Sequence, residues 1–280
     1  MRISVVIPSY NRAHTLQRAL QSVYQQTSAV DEVILVDDGS TDASSADLIE
    51  IFPGLRVIRQ SRQGVSAARN RGIKAARHDW IALLDSDDCW LPHKIESIRA
   101  AAEAYPDFIL YHSDEIWIRD GVRVNPMQKH RKSGGWIFRQ CLPLCAISPS
   151  TCVIQKSALQ ALGLFDESLP ACEDYDLWLR LCHRFPVHFI DQALVTRYGG
   201  HADQLSQQYP QMDRFRIRAL ARLLDSADLR RDDFEAARAT MLRKLEILLK
   251  GAYKHGNRAV IEEFEPVQQR WHDNPRQVSC

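Results

Sequence analysis

Three carboxylates, Asp85, Asp87 and Asp88, close an apolar run in the segment WIALLDSDDCW (80–90). Like charges packed at the end of a buried strand repel one another, so the cluster sits in a solvated turn or awaits a cation. Side chains alternate along an extended segment, which predicts that Asp85 and Asp87 point the same way. Hard oxygen donors in that arrangement suit Mg²⁺ or Mn²⁺, ions that normally also take substrate phosphate oxygens. Comparable polar groups follow other apolar runs: Pro8-Ser9-Tyr10-Asn11-Arg12, and Asp37-Asp38-Gly39-Ser40-Thr41-Asp42. Aspartates in the second of these can accept hydrogen bonds from a base N–H or a ribose hydroxyl. Gly64-Val65-Ser66 is followed one turn later by Arg69 and Asn70, and Glu173-Asp174 opens the helical pattern EDYDLWLRLCHRF (173–185). Any one of these segments alone reads as an Asx-type turn or a helix cap.

The elements between them alternate. ISVVIP (3–8), EVILVDD (32–38), RVIR (56–59) and WIALLD (80–85) are short continuous apolar runs, the pattern of strands buried on both faces. Helical spacing joins Leu16, Leu20 and Val23, then residues 47–52 and 66–77, and then Ile95, Ile98 and Ala102 behind Pro92. This order predicts an α/β fold with a mostly parallel sheet and helices on both faces. The polar ends then collect along one sheet edge, where open parallel sheets bind ligands. From 111 to about 208 the pattern loosens into strand-like pieces around the helix at 173. Beyond Tyr209 an amphipathic helical pair is expected, with Phe215, Leu220 and Leu223 on one face and Met241, Leu245 and Leu248 on another. The expected division is therefore 1–208, split near 110, plus a helical extension over 209–280.

The bulk properties exclude several classes. The chain has 280 residues, 45% hydrophobic and 25% charged, with a formal net charge of +1. That balance gives no electrostatic case for a nucleic-acid partner. No apolar stretch reaches the ~20 residues of a membrane helix, and the opening MRISVVIPSYNR does not read as a secretory leader. Seven cysteines follow no zinc-site or disulfide spacing and read as reduced thiols of a cytoplasmic protein.

In order and spacing, VVIPSYNR, VDDGSTD, GVSAARNRGI, LLDSDD and CEDYDLWLR resemble the family-2 glycosyltransferases of GT-A fold over about residues 3–200. The resemblance implies inverting transfer of a sugar from a nucleotide-diphosphate donor, with a UDP-sugar favoured and Mg²⁺ or Mn²⁺ held by Asp85 and Asp87. It implies a donor site built from Pro8, Tyr10, Arg12, Asp37, Asp38, Arg69, Asp85 and Ser86, with Asp38 on the base. Asp174 becomes the general base, with Glu173 as its neighbour and alternate. His201 becomes a further metal ligand or a diphosphate contact.

The acceptor is left open between a glycan, a lipid-linked and a small-molecule hydroxyl, and so is peripheral contact with the inner face of a membrane. Residues 111–150, including Tyr111, His112, Trp117, KHRK (129–132) and Trp136, are expected on the acceptor side; Trp178 is expected in the core. A sugar nucleotidyltransferase is the nearest rival, but it needs a glycine-rich loop where PSYNR stands. A non-catalytic binding protein on the same fold is the other alternative.

Overall fold

The computed structural model describes residues 1–42, 48–125, 127–200, 209 and 211–273. Its first part is the expected alternation: β1 (Ile3–Ser9), α1 (Leu16–Tyr24), β2 (Glu32–Asp37), α2 (Leu48–Ile51), β3 (Leu55–Arg59), α3 (Val65–Ala75) and β4 (Trp80–Leu83). Then come β5 (Cys89–Trp90), α4 (Lys94–Ala104), β6 (Leu110–Arg119), β7 (Val122–Val124), α5 (Phe138–Cys141), β8 (Cys152–Gln155), α6 (Lys156–Ala161), α7 (Glu173–Cys182) and β9 (His188–Gly199). The strands form one sheet in the order β3-β2-β1-β4-β8-β6-β9-β5, with β7 on β6. β3, β2, β1 and β4 are parallel neighbours, and β6 and β9 pair in parallel further along. β8 and β5 run against their neighbours.

The period-two alternation of strand side chains divides the core between the two faces. Val5, Ile7 and Leu35 pack with α1 and α4 in one cluster. Val6, Ile34 and Val36 pack on the other face with α3 and α7. That second cluster continues into α8 (Asp213–Ser226), α9 (Arg231–Lys254) and α10 (Arg258–Asp273). Among the described residues the extension is thus three helices rather than the expected pair. Its residues Phe215, Leu220, Leu245 and Phe264 share one core with Trp178, which is fully buried as anticipated. No helix among the described residues is long and apolar enough to cross a membrane.

The strand order switches sides at β1, which leads outward to β2 and β3 on one side and abuts β4 on the other. Pairing with β2 runs on to Ser9↔Asp37, whereas pairing with β4 stops at Val6↔Leu83. The crevice opens where the β4 partner ends, and Pro8 stands beyond it, so its missing N–H interrupts no β4 pairing.

Candidate active site

A cleft of about 900 Å³ lies along the carboxyl ends of β1, β2 and β4, closed by the start of α3, the start of α7 and the end of β9. Backbone geometry lays out its rim. Gly39, at φ +77°, turns the chain after β2, and a Cβ there would meet the Arg62 backbone nitrogen at 2.8 Å. Asn11 at φ +50° accepts the Thr41 N–H at 2.8 Å, lacing the β1 and β2 loops together. Cys172 caps α7 at φ +61°, a left-handed conformation that costs a non-glycine residue about 1–3 kcal/mol. That turn presents Glu173 and Asp174 to the cleft.

The aspartate cluster differs from the expected extended segment. β4 ends at Leu83, and Asp85–Asp88 form a turn closed by Asp88 N–H donating to the Asp85 carbonyl at 3.0 Å. The turn is pinned from outside the strand: Ser150 accepts the Asp85 N–H at 3.1 Å, and Arg18 donates to the Asp87 carbonyl at 3.0 Å. Asp88 is buried, accepting the Ser150 hydroxyl at 2.6 Å and the Tyr198 N–H at 3.1 Å. Burial, then Asp87 and Asp85, push its carboxyl well above the ordinary range. Asp88 therefore ties the turn to β9, while Asp85 and Asp87 are half-buried and line the cleft.

Arg69 joins two expected parts of the site. Buried on α3, it donates to Asp85 Oδ1 at 2.7 Å and to Glu173 Oε1 at 2.5 Å. Burial pushes the Glu173 carboxyl up to about 7, with Arg69 pulling it down and Asp174 adding to the rise. Asp174 is half-buried, taking the Tyr175 N–H at 2.7 Å and the Cys145 thiol at 3.1 Å.

The remaining expected residues divide. Pro8, Tyr10, Arg12, Asp38 and Ser86 line the cleft, and Arg62 stacks over the Tyr10 ring at 4.1 Å. Asp38 binds its own loop, taking Gln60 Nε2 at 2.7 Å and the N–H groups of Gln63 and Gly64 at 2.9 and 2.8 Å. Asp37 lies behind the cleft, 5% exposed, accepting the Ser40 N–H and 3.9 Å from Arg59. The buried hydroxyls of Ser9 and Ser66, both on the cleft wall, have no hydrogen-bond partner among the described residues. His201 lies outside the described residues.

The segment 111–150 corrects the sequence expectation. Tyr111 and His112 are fully buried in and beneath the sheet. Lys132 of the KHRK run is buried too, 3.4 Å from Glu115. Trp136 lines a separate pocket beside Arg230. Of that segment only Ser148 and Pro149, among the described residues, reach the cleft. Sequence reasoning missed Arg197 instead. It enters the cleft from β9 with its side chain 43% exposed, 3.9 Å from Glu115, and Glu115, Asp88, Asp85 and Asp174 all favour its charge. A lone arginine in a strand carries no local pattern, so only the β6–β9 pairing reveals it.

Among the described residues no three His, Cys, Asp or Glu side chains converge on a metal position. Asp85 and Asp87 are hard oxygen donors at the cleft wall, and one oxygen of Asp85 is engaged by Arg69. The pair fits a divalent ion that draws further ligands from phosphate oxygens and water, as Mg²⁺ and Mn²⁺ do.

Residues 4–162 match the family described as Glycosyl transferase family 2. The Erwinia amylovora protein named amylovoran biosynthesis glycosyltransferase AmsB is 32% identical over 74% of this chain and 74% of its own. An uncharacterized glycosyltransferase of Rickettsia felis is 27% identical over 74% of this chain, and one of Haemophilus influenzae 29% identical over 64%. The matched part is 35% of the Rickettsia protein and 61% of the Haemophilus protein, so the chain spans only part of those relatives. Among solved structures, S. aureus TarS 1-349 in complex with UDP-GlcNAc superposes with a TM-score of 0.70 at 20% identity, covering 88% of this chain and 72% of that one. The Pyrobaculum calidifontis mannosyltransferase PcManGT, in complex with GDP-Man and Mn²⁺, gives 0.65 at 14% identity over 97% and 84%. These likenesses show the fold, the GT-A arrangement anticipated from the motifs.

Proposed function

The chain belongs to glycosyl transferase family 2, and from that premise we propose that it moves a sugar from a nucleoside-diphosphate donor to a hydroxyl acceptor, inverting the anomeric carbon. The observation that carries the reading is the meeting, in one cleft, of the Asp85–Asp87 turn, the Arg69 bridge and the Glu173–Asp174 pair. These parts come from three distant segments, and the Arg69 guanidinium bonds directly to carboxylates of the other two.

In this reading the nucleoside lies against the β1 and β2 ends. Its base reaches Tyr10 in place of, or beyond, the Arg62 guanidinium now stacked there. The Ser9 and Ser66 hydroxyls and the first turn of α3 offer donors to ribose or phosphate oxygens. Asp85 and Asp87 would hold Mg²⁺ or Mn²⁺ with the diphosphate; bound there, the ion supplies Lewis-acid compensation of its charge. Arg197 faces the same region and adds a fixed positive charge where negative charge builds on the leaving diphosphate. Asp174 takes the acceptor hydroxyl proton as that oxygen attacks. Glu173, held by Arg69, orients the start of α7. UDP is favoured as the nucleotide by the TarS likeness, and a biosynthetic role by the AmsB one, with cell-surface polysaccharide or other glycan synthesis as the proposed setting. A cytoplasmic protein with peripheral membrane contact fits such a role.

The test is a nucleotide-release assay of the purified protein with UDP-GlcNAc, UDP-glucose, UDP-galactose and GDP-mannose in Mn²⁺, with water or simple glycosides as acceptor. One donor is expected to turn over, and Asp174→Asn to cut kcat by about 10²–10⁴-fold with UDP affinity kept. Nucleotide binding without release from any donor would favour a non-catalytic binding protein instead.

A further inference from the structure

Cys145 stands in the loop after α5, half-buried, with its sulfur 3.1 Å from Asp174 Oδ2 and 3.2 Å from the Ile147 carbonyl oxygen. A thiol has one proton, so the two acceptors compete for it. The other carboxylate oxygen of Asp174 takes the Tyr175 N–H, which leaves the thiol as the side-chain donor that fixes Oδ2. We propose that Cys145 is a positioning residue for the transfer reaction, holding the Asp174 carboxylate in one orientation through S–H donation. This rests on Asp174 being the general base.

The surrounding charges agree with a thiol rather than a thiolate. Burial, and next Asp174 itself, hold the Cys145 proton on well above the ordinary thiol range, with Cys141 adding to the rise and Lys132 opposing it. Asp174 also faces Glu173 and Cys172 on its own helix and Arg197 from β9. With the thiol gone, Oδ2 loses the side-chain donor that fixes it and is free to turn away from the acceptor hydroxyl. Cys145→Ala therefore lowers kcat, by up to about tenfold, the worth of one hydrogen bond, and leaves the KM for the sugar donor unchanged. Cys145→Ser keeps a donor in place and restores kcat. A cysteine that merely filled space would change expression or Tm and leave kcat unmoved.

Two measurements on the full chain separate this proposal from the reading beneath it. The first needs no substrate: iodoacetamide labelling from pH 6 to 10, read at the Cys145 peptide by mass spectrometry, in the wild type and in Asp174→Asn. The contact requires labelling across this range to be faster in the variant, by roughly tenfold, because the neighbouring carboxylate that holds the thiol proton is gone. Equal labelling rates overturn the proposal. The second is kcat and KM of nucleotide release for wild type, Cys145→Ala and Cys145→Ser. A lower kcat at unchanged KM in Ala alone supports it, and equal kcat in all three overturns it. An active Asp174→Asn would overturn the general-base reading instead, whatever the labelling of Cys145 shows.

Discussion

Replacing Arg69 by methionine removes the charge that Asp85 and Glu173 share. The side chain is 3% exposed and makes charge-assisted bonds of 2.7 and 2.5 Å to the two carboxylates, of which Glu173 is itself buried. Breaking a buried ion pair from one side costs about 3–5 kcal/mol, because the partner's charge stays behind uncompensated. With an unfolding entropy of about 2.1 cal/mol/K per residue over 280 residues, that loss lowers Tm by about 5–9 °C. The sign of the pH dependence follows from Glu173. Its folded pKa is already raised, so the folded state holds a proton that the unfolded chain releases near its ordinary pKa of about 4.3. Stability then falls as pH rises from that value through the folded pKa, which is about 7 in the wild type. Without Arg69 the folded pKa climbs further, so the Tm deficit of Arg69→Met is smaller at pH 5 than at pH 8. Adding Glu173→Gln to the variant returns part of the deficit at pH 8, with a coupling of about 0.5–3 kcal/mol. Thermal unfolding followed by circular dichroism at the two pH values measures all of this. A deficit below about 2 °C, or one larger at pH 5 than at pH 8, would refute the account of Arg69 as the cation these carboxylates require.

Arg197→Ala should weaken UDP binding about 10–100-fold, the loss of one charged hydrogen bond to a diphosphate, while leaving uridine binding unchanged. Isothermal titration with both ligands checks it, and equal losses for the two would move Arg197 away from the phosphates. Gly39→Ala combines positive φ with a Cβ placed 2.8 Å from the Arg62 nitrogen. It should cost about 1–3 kcal/mol, read as a Tm lower by about 2–5 °C; an unchanged Tm would show that the loop shifts freely.

The parts legible in the sequence are those written locally. Continuous apolar runs mark β1 to β4, and polar segments at their ends mark the crevice, because strand ends and turns are built from neighbours in the chain. The parts that were not legible depend on long-range pairing. Asp88 reads like Asp85 and Asp87 until Ser150, 62 residues away, takes its carboxylate. Lys132 reads as one of a solvated basic run until β6 brings Glu115 beside it. Tyr111, His112 and Trp136 read as acceptor-facing residues, yet sheet pairing buries the first two and turns the third to another pocket. The Arg69–Glu173 bond spans 104 residues, so its two ends are readable and their union is not.

The central claim is that the cleft at the ends of β1, β2 and β4 is a nucleoside-diphosphate site. Calorimetric titration of the wild-type protein and Asp87→Ala with UDP and GDP, each with and without Mn²⁺, tests it most directly. Saturable binding of one nucleotide is expected, strengthened by Mn²⁺ in the wild type and losing that metal dependence in Asp87→Ala. Absence of binding by either nucleotide, with or without the metal, would contradict it.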